Sequence, residues 1–180
     1  HLSACISSEI PITGINAEVM PGQWEFQVGG PGVDPLTGSD CLWVARWLLY
    51  RIGEKYNISA TLEPKPVTGD WNGAGMHINF STEATRSEGG LAVIEEIMST
   101  MGNRISEHLS EYGDGYEIRL TGKHETCRYD EFKWGVSDRT ASVRIPITTA
   151  RDKKGYFEDR RPNANADPYR VAKVIVESSK

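Results

Sequence analysis

Alternating apolar and polar positions predict a half-buried strand at residues 76–81. Successive side chains of a strand point to opposite faces, so the apolar side chains of this run face inward together. The outward face carries His77, Asn79 and Ser81. A neutral imidazole is a common metal ligand, which makes His77 a candidate ligand. A single histidine on the surface, or hydrogen-bonded in the core, is nevertheless the more frequent arrangement.

A second run with strand character, residues 155–162, has polar side chains of three chemical kinds on one face. Alternation places Tyr156, Glu158 and Arg160 together there. The aromatic ring can stack, the carboxylate can hold a divalent cation and the guanidinium can bind an anion, so this face suits a metal-bound phosphate ligand. Taken alone, the segment is also explained by a charged, solvent-exposed strand face, because exposed charge is the ordinary case.

Pro21 and Gly22 predict a turn between two short strands. If these two residues alone form the turn, Glu18 lies directly opposite Glu25. Two opposed carboxylates destabilise a hairpin by a few tenths to ~1 kcal/mol, and a divalent cation between them reverses the sign of that interaction. The alternative is that both glutamates face solvent and never meet.

The other periodic segments predict helices and strands that together indicate an α+β fold, with a mainly antiparallel sheet and flanking helices. The apolar run Cys41–Tyr50 predicts a buried helix that is capped by Ser39 or Asp40 and ends near Tyr56. The remaining expected elements are a strand at residues 58–63, helices at 91–101 and 104–110, a short helix or turn at 130–137, a strand at 140–148 and a terminal helix from Asp167.

Composition narrows the possible partners. The chain has 180 residues, enough for one domain with a hydrophobic core. A formal net charge of -5 argues against a nucleic acid or an anionic membrane as partner, and no apolar run is long enough to span a bilayer. The three cysteines, Cys5, Cys41 and Cys127, are far apart and odd in number, which favours a reducing compartment such as the cytoplasm.

Four longer motifs resemble glutamine synthetase of the eukaryotic type. They are residues 16–27, 69–77, 119–126 and 155–162, in that family's order and at nearly its spacing. The resemblance covers essentially residues 1–180 and implies a single C-terminal catalytic domain with the family's α+β fold. It also implies a longer parent chain, and the helical character of the first six residues agrees with that interpretation. The implied reaction is ATP-dependent ligation of ammonia to L-glutamate, through a γ-glutamyl phosphate, to give L-glutamine.

The resemblance also assigns roles to individual residues. The implied ligands of Mg²⁺ or Mn²⁺ are Glu18, Glu25, His77 and Glu158. The implied contacts to ATP, the co-substrate, are Asn79, Ser81, Arg139, Arg144 and Tyr156. The implied contacts to L-glutamate are Asp70, Trp71, Asn72, Gly73, Arg119, Arg139 and Arg160. The implied catalytic residues are Glu125, Arg139 and Arg160, with Glu125 on a mobile flap where it takes a proton from ammonium.

The sequence departs from the family pattern in several respects. Ile147 stands where the family commonly has arginine, and Asp138 stands where it usually has asparagine, so that a carboxylate could draw Arg139 away from its ligand. A Glu-x-Glu pair, which supplies further metal ligands in the family, occurs nowhere in the chain. The isolated chain is therefore expected to be inactive, whereas the parent is expected to form a homo-oligomeric ring.

Two alternatives to this enzyme remain open. One is a non-catalytic relative that serves assembly or structure, and the other is a ligase that glutamylates an amine larger than ammonia. The enzyme is favoured by the presence of Glu18, Glu25, His77, Glu125, Glu158 and Arg160. A structural relative has no physical reason to keep opposed carboxylates. The close match to the ammonia-using group makes a larger amine less favoured.

Overall fold

The chain divides between Leu62 and Glu63 in the computed structural model, which describes all residues from 1 to 180. The first unit, His1–Leu62, packs two helices against an antiparallel hairpin. Its elements are α1 (Leu2–Ser7), β1 (Ile12–Ala17), β2 (Trp24–Val28) and α2 (Pro35–Tyr56). The buried centre of this unit consists of Cys5, Ile10 and Ala45, against which apolar side chains of both strands pack.

The hairpin turns at Pro21 and Gly22, as predicted. The backbone N–H of Gln23 donates to the carbonyl of Met20 at 2.9 Å and closes the turn. Gly22 has a φ of 79°, which is the left-handed conformation that the third position of a type II turn requires. Proline at the second position fixes the other dihedral angle that this turn needs.

The strand register differs by two residues from the predicted one. The backbone N–H of Glu18 donates to the carbonyl of Gln23, and Glu25 lies opposite Asn16. The prediction that Glu18 lies directly opposite Glu25 is therefore wrong, because the loop between the paired residues has four residues rather than two. Since the offset is even, both glutamates keep the same face and are diagonal neighbours.

Helix α2 begins earlier than predicted. Asp34 is its cap: the carboxylate accepts two backbone N–H groups of the first turn at 3.0 Å each, and Pro35 occupies the first helical position. The predicted caps Ser39 and Asp40 are wrong, and the Ser39 hydroxyl instead donates to the carbonyl of Pro35. Aspartate followed by proline is the stronger start signal, because proline cannot donate a hydrogen bond and is pre-set for the first turn.

The prediction that Cys41–Tyr50 is buried is wrong for the large side chains of this run. Trp47 is 60% exposed and Tyr50 is 43% exposed, whereas Ala45 is fully buried. A helix that is apolar on several sides does not reveal from composition alone which side is covered. None of the helices is long and apolar enough to cross a membrane.

The second unit, Glu63–Lys180, is built around a four-stranded sheet with helices on one face. Its elements are β3 (Ile78–Phe80), α3 (Glu83–Arg86), α4 (Gly90–Asn103), α5 (Ile105–Glu111), α6 (Tyr116–Arg119), β4 (Trp134–Val136), β5 (Val143–Ile145), α7 (Ile147–Asp152), β6 (Phe157–Asp159) and α8 (Pro168–Ser178). The strand order is β3-β6-β5-β4, and only β4 and β5 run parallel. The predicted α+β class with a mainly antiparallel sheet is confirmed.

The core of this unit lies on one side of the sheet. Phe157, Val143 and Ile145 point from the strands into it, and they meet side chains of α4 and α8. The helix predicted at 91–101 supplies four buried members of the core: Ile94, Ile97, Met98 and Met101. The polar residues that alternate with the core residues along each strand are therefore left on the other side of the sheet.

Two predicted elements are wrong, and a third is shorter than predicted. Residues 58–63 form no strand, because α2 ends with Asn57 in the left-handed conformation and Ile58 donates its N–H back to Gly53 at 3.0 Å. Residues 130–137 contain strand β4 rather than a helix, because this stretch pairs with β5. The strand expected at 140–148 is shorter, since Pro146 ends the pairing and α7 follows directly.

Candidate functional site

The two polar strand faces predicted from the sequence lie side by side on the outer face of the sheet. Strands β3 and β6 are antiparallel neighbours, and Asn79 lies opposite Glu158. On the far side of β6, Glu158 lies opposite Arg144 of β5. Residues directly opposite each other share a face, so an amide, a carboxylate and a guanidinium form one row across three strands.

Glu158 is the centre of this row. Its Oε1 lies 3.2 Å from Nη1 of Arg160 and 3.4 Å from Nδ1 of His77, and its Oε2 accepts from Nε of Arg144. Burial by itself raises the pKa of this carboxyl group, but the contacts with His77, Arg160 and Arg144 outweigh burial and lower the pKa to about 2. The group is therefore a carboxylate at neutral pH, held by charges of opposite sign.

His77 is held between a carboxylate and a guanidinium. Its Nδ1 faces Glu158, and its Nε2 lies 3.4 Å from Nη2 of Arg119. Because a guanidinium only donates, Nε2 accepts and the ring proton is on Nδ1. Packing around the ring lowers the pKa of His77 although Glu158 opposes that change, and the side chain still exposes 32% of its surface.

The separation of Nδ1 of His77 from Oε1 of Glu158 fits two positions of one divalent cation, although the proton on Nδ1 has to leave before this nitrogen can bind a cation. Two ligands at about 2.1 Å from a cation are about 3 Å apart when they meet at a right angle, close to the 3.4 Å between Nδ1 and Oε1. No third histidine, cysteine, aspartate or glutamate joins them in a cluster. The chemistry of a carboxylate and an imidazole suits Mg²⁺ or Mn²⁺.

The other two predicted metal ligands lie in the first unit, on the hairpin. Glu18 accepts from Nδ2 of Asn16 at 2.9 Å, and Gln27 donates to both Asn16 and Glu25. Side-chain amides therefore connect the two glutamates on one face of the hairpin. The arrangement leaves carboxylate oxygens available on that face, and the role of these residues as ligands stays a prediction.

Arg119 is buried and directs its donors onto the backbone. Nη1 donates to the carbonyls of Arg161 and Pro162 at 3.0 and 3.3 Å, and Nη2 donates to that of Arg160 at 3.1 Å. Burial, together with the charge of Arg160, lowers the pKa of this guanidinium to about 10. A side chain at Gly75 would collide with the Arg119 guanidinium, so this glycine makes the path possible. The structure brings Arg119 beside His77, and its predicted contact with L-glutamate remains untested.

The loop that carries Glu125 meets the end of β6. Nη1 of Arg139 lies 3.4 Å from Oε1 of Glu125, and Nη2 of Arg160 lies 3.5 Å from the Glu125 carbonyl oxygen. The three residues predicted to be catalytic are thus brought together. His124 and Glu125 have φ values of 54° and 60°, a left-handed conformation that is uncommon for residues with a side chain.

A second loop, which carries the predicted glutamate contacts, lies against this one. Nε2 of His124 is 3.0 Å from Oδ1 of Asp70. Trp71 is exposed, whereas Asn72 and Gly73 are half-buried. Two loops of predicted site residues are therefore connected by one contact between side chains of opposite charge when the imidazole is protonated.

Asp138 and Ile147 are the two residues that differ from those common in the family. The Asp138 carboxylate accepts from the backbone N–H and the hydroxyl of Thr140 at 2.8 and 2.7 Å, and these bonds lower its pKa. Asp138 therefore binds Thr140, and the expectation that it draws Arg139 away is not met, since Arg139 pairs with Glu125. Ile147 is 63% exposed at the first position of α7.

The remaining predicted nucleotide contacts flank the row. The Ser81 hydroxyl accepts from Nε of Arg86 at 2.7 Å, and the backbone of Tyr156 is held by the hydroxyl of Thr149 at 3.0 and 3.2 Å. Sequence reasoning missed Arg86 and Thr149. Arg86 lies on the four-residue helix α3 and Thr149 on the six-residue α7, which are too short to show a helical period.

Comparison with known proteins gives one family. The family profile described as the catalytic domain of glutamine synthetase matches residues 2–89. Glutamine synthetase of Streptomyces viridochromogenes is 55% identical over 178 residues, which are 99% of this chain and 51% of that protein. Glutamine synthetase of Emericella nidulans is 51% identical, over 99% of this chain and 49% of its own length. The chain thus spans about half the length of the curated relatives it matches.

Solved structures show the same fold. The cryo-EM structure of Plasmodium falciparum glutamine synthetase superposes with a TM-score of 0.79 at 22% identity, over 99% of this chain and 36% of that chain. A structure described as apo GmaS without ligand gives a TM-score of 0.80 at 21% identity, over 99% of this chain and 42% of that chain. Nearly the whole chain is therefore similar to about half of the length of curated glutamine synthetases, at 51–55% identity.

Proposed function

We propose that the protein carrying this chain ligates ammonia to L-glutamate with ATP and releases L-glutamine, ADP and phosphate. The single observation that carries the proposal is the cluster around Glu158, where an imidazole and two guanidinium groups surround one buried carboxylate at the edge of two loops. Charged groups that are fixed before substrate arrives are what phosphoryl transfer requires, because its transition state is stabilised mainly by electrostatics. Relatives named glutamine synthetase at 51–55% identity support the same reaction.

The reaction has two steps in this proposal. The γ-carboxylate of L-glutamate attacks the γ-phosphorus of ATP, which forms the γ-glutamyl phosphate and releases ADP. Ammonia then attacks the acyl carbon, the bond to the phosphate oxygen breaks, and phosphate leaves. Arg160 lies at the face where the developing anion is expected, and a planar guanidinium can bind two of its oxygens at once.

Arg139, Arg144 and Glu125 have the other polar roles. Arg139 and Arg144 bind phosphate oxygens, and the Glu125 carboxylate takes a proton from ammonium so that neutral ammonia can attack. Arg144 pairs with Glu158, and it must exchange this partner for a phosphate oxygen when ATP binds. The contact between Arg139 and Glu125 positions the carboxylate on its loop.

Metal use forms the second part of the proposal. His77 and Glu158 would hold one Mg²⁺ or Mn²⁺ ion, and Glu18 and Glu25 would hold another. A bound divalent cation supplies positive charge that neutralises phosphate oxygens. The residues themselves fix the direction of the carboxylate and imidazole donors, which Arg119 supports from behind His77.

Assembly and compartment complete the proposal. A homo-oligomeric ring in the cytoplasm is the arrangement that we expect for the full-length protein. Residues 1–180 alone are expected to form no glutamine, because no Glu-x-Glu pair completes the metal ligands. Detection of glutamine made by the purified 180-residue chain would contradict this expectation.

Glutamine formation by the purified full-length protein tests the proposal. The assay contains ATP, L-glutamate, ammonium and Mg²⁺ or Mn²⁺, and measures glutamine and ADP in equal amounts. Ethylamine in place of ammonium tests the larger-amine ligase. A Glu125→Gln variant keeps the shape of the side chain but cannot take a proton, so it is expected to lose most turnover. Equal absence of product with both amines would favour a non-catalytic relative.

A further inference from the structure

Strand β6 and the two residues that follow it carry two acid–base pairs, one on each face of the sheet. Glu158 and Arg160 point to the polar face described above. Asp159 and Arg161 point to the opposite side, where Asp159 has no exposed surface and Arg161 exposes 2%. The sequence Glu-Asp-Arg-Arg therefore places a carboxylate two residues before a guanidinium in either of two registers. A shift of one residue would present a chemically similar pair to the site, because strand side chains alternate.

The buried pair is bound at several points. Nε and Nη2 of Arg161 donate to the two carboxylate oxygens of Asp159 at 3.0 and 2.7 Å, and the backbone N–H of Arg161 donates to Oδ1 at 3.0 Å. The guanidinium lies over the rings of Tyr112 and Phe132, at 5.1 and 5.0 Å from their centres. A two-point contact to a carboxylate fixes orientation as well as distance.

A chain of hydrogen bonds connects this pair to two helices. The Tyr112 hydroxyl donates to Asp159 at 2.6 Å, so its oxygen must accept from Nδ1 of His108, also at 2.6 Å. Nε2 of His108 then accepts from the hydroxyl of Ser178 at 2.8 Å. Nη1 of Arg104 donates to Ser178 at 2.7 Å. Every link has one direction of donation, and the last acceptor is the carboxylate on β6.

A contribution to stability alone does not explain why these polar side chains are buried behind the sheet. A buried ion pair costs much of its attraction in lost hydration, and apolar residues of similar volume often stabilise a core as well or better. The best-attested use of buried polar groups is to select one register among alternatives. Phe157, which is fully buried on the same side, opposes a shift too, but it makes no contact that distinguishes one charged pair from the other.

We propose that Tyr112, Asp159 and Arg161 are positioning residues that fix β6 in the register where Glu158 and Arg160 face the site. They act from behind the sheet and touch no substrate. The proposal rests on the proposed function for its Mn²⁺ and kinetic readouts, and its structural readout is independent of that function. Its structural readout is the protection of the Arg160 N–H, which donates to the carbonyl of Ser142 at 3.0 Å and joins β6 to the segment before β5.

The test uses the full-length protein and the variant Tyr112→Phe. This change removes one hydroxyl and keeps the ring that lies under Arg161, so the core remains filled. Ile175→Val is the matched control, because it removes one methyl group from the same core without touching the polar chain. Asp159→Asn is a second variant that keeps the shape of the side chain and removes its charge.

Three measurements are made on each protein. Hydrogen–deuterium exchange of the peptide covering residues 156–162 is expected to be at least threefold faster in Tyr112→Phe than in Ile175→Val. The two variants are compared at the same interval below their own melting temperatures. Affinity for Mn²⁺ alone is expected to fall at least threefold. Turnover is expected to fall while KM for ATP changes less than twofold, because Glu158 and Arg160 lose their fixed direction.

The outcomes separate the two proposals. The positioning role would be overturned if Tyr112→Phe had the same exchange rate and the same Mn²⁺ affinity as Ile175→Val. If Tyr112→Phe fails to fold, Asp159→Asn is compared with Ile175→Val in the same way. If the unmodified protein makes no glutamine, the proposed function is contradicted. Faster exchange of residues 156–162 in Tyr112→Phe would still support the positioning role in that case.

Discussion

Protonation of His108 should control the stability of the protein below neutral pH. The imidazole has no exposed surface and is hydrogen-bonded at both nitrogens in its neutral form. Burial lowers the pKa of His108 to about 4, and the positive charge of Arg161 adds to this effect. In the unfolded chain the same group titrates near 6.5. The unfolded state therefore takes up a proton at a higher pH than the folded state does.

The sign and size of the effect follow from this difference. The contribution of His108 to stability is constant above pH 6.5, falls as the pH decreases to about 4, and changes no further below that. One pKa unit corresponds to 1.36 kcal/mol, so the whole window is worth about 3 kcal/mol and the part between pH 7.5 and pH 5 about 2 kcal/mol. Glu158 acts at lower pH, because its pKa is about 2.

Urea denaturation at pH 5.0, 6.0 and 7.5 measures this contribution. His108→Gln cannot titrate, so the loss of unfolding free energy between pH 7.5 and pH 5 should be about 2 kcal/mol smaller in the variant than in the unmodified protein. His77 also has a lowered pKa, which is why only the difference between the proteins is interpreted. Ile175→Val serves as a control that lowers stability without changing the pH dependence. Equal pH dependence in His108→Gln and the unmodified protein would refute the reasoning.

Four other variants test the site and one helix. Glu158→Ala should weaken Mn²⁺ and ATP binding together, and normal ATP affinity at limiting Mn²⁺ would contradict its role as ligand. Arg160→Lys should lose most turnover while ATP affinity changes little, because lysine cannot make the paired contacts of a guanidinium; unchanged turnover would place Arg160 outside the reaction. Glu18→Gln should reduce the rise in melting temperature that Mn²⁺ causes, and an equal rise in both proteins would exclude Glu18 as a ligand. Asp167→Ala should cost about 1 kcal/mol of stability in urea denaturation, because the Asp167 carboxylate caps α8 by accepting from the N–H of Tyr169, whereas Asp167→Asn should be nearly neutral.

The sequence predicted which side chains share a face but not which strands are neighbours. Period-two alternation is strict, so His77 with Asn79, and Glu158 with Arg160, could be assigned to faces from the sequence alone. Pairing of β3 with β6 joins residues about 80 positions apart, and no local pattern specifies such a partner. The contacts of His77, Arg144 and Arg160 with Glu158 therefore depend on how the strands pair, which the sequence pattern did not predict.

Competition between alternative turns and between alternative helix caps explains the element boundaries that were predicted wrongly. The hairpin register depended on whether the turn at Pro21 has two residues or a longer loop, and both loops keep Glu18 and Glu25 on one face. The start of α2 depended on two competing caps, and Asp34 followed by proline prevailed over Ser39. In each case the prediction of the element succeeded, whereas the choice between two nearby hydrogen-bonding partners required the structure.

The arginines that pair with Glu158 are also the ones that bind phosphate in the proposed reaction, and this double use has an energetic consequence. Arg144 and Arg160 neutralise Glu158, which lets a carboxylate stay ionised although it is 6% exposed. A phosphate that recruits these guanidinium groups would leave the carboxylate unpaired unless another positive charge replaces them. A divalent cation at His77 and Glu158 is such a charge, so cation and nucleotide are expected to bind as a unit and each to raise the affinity of the other. In the proposed function, the pairing around Glu158 thus explains how a carboxylate that would bind a metal can lie among arginines that compete for the same oxygens.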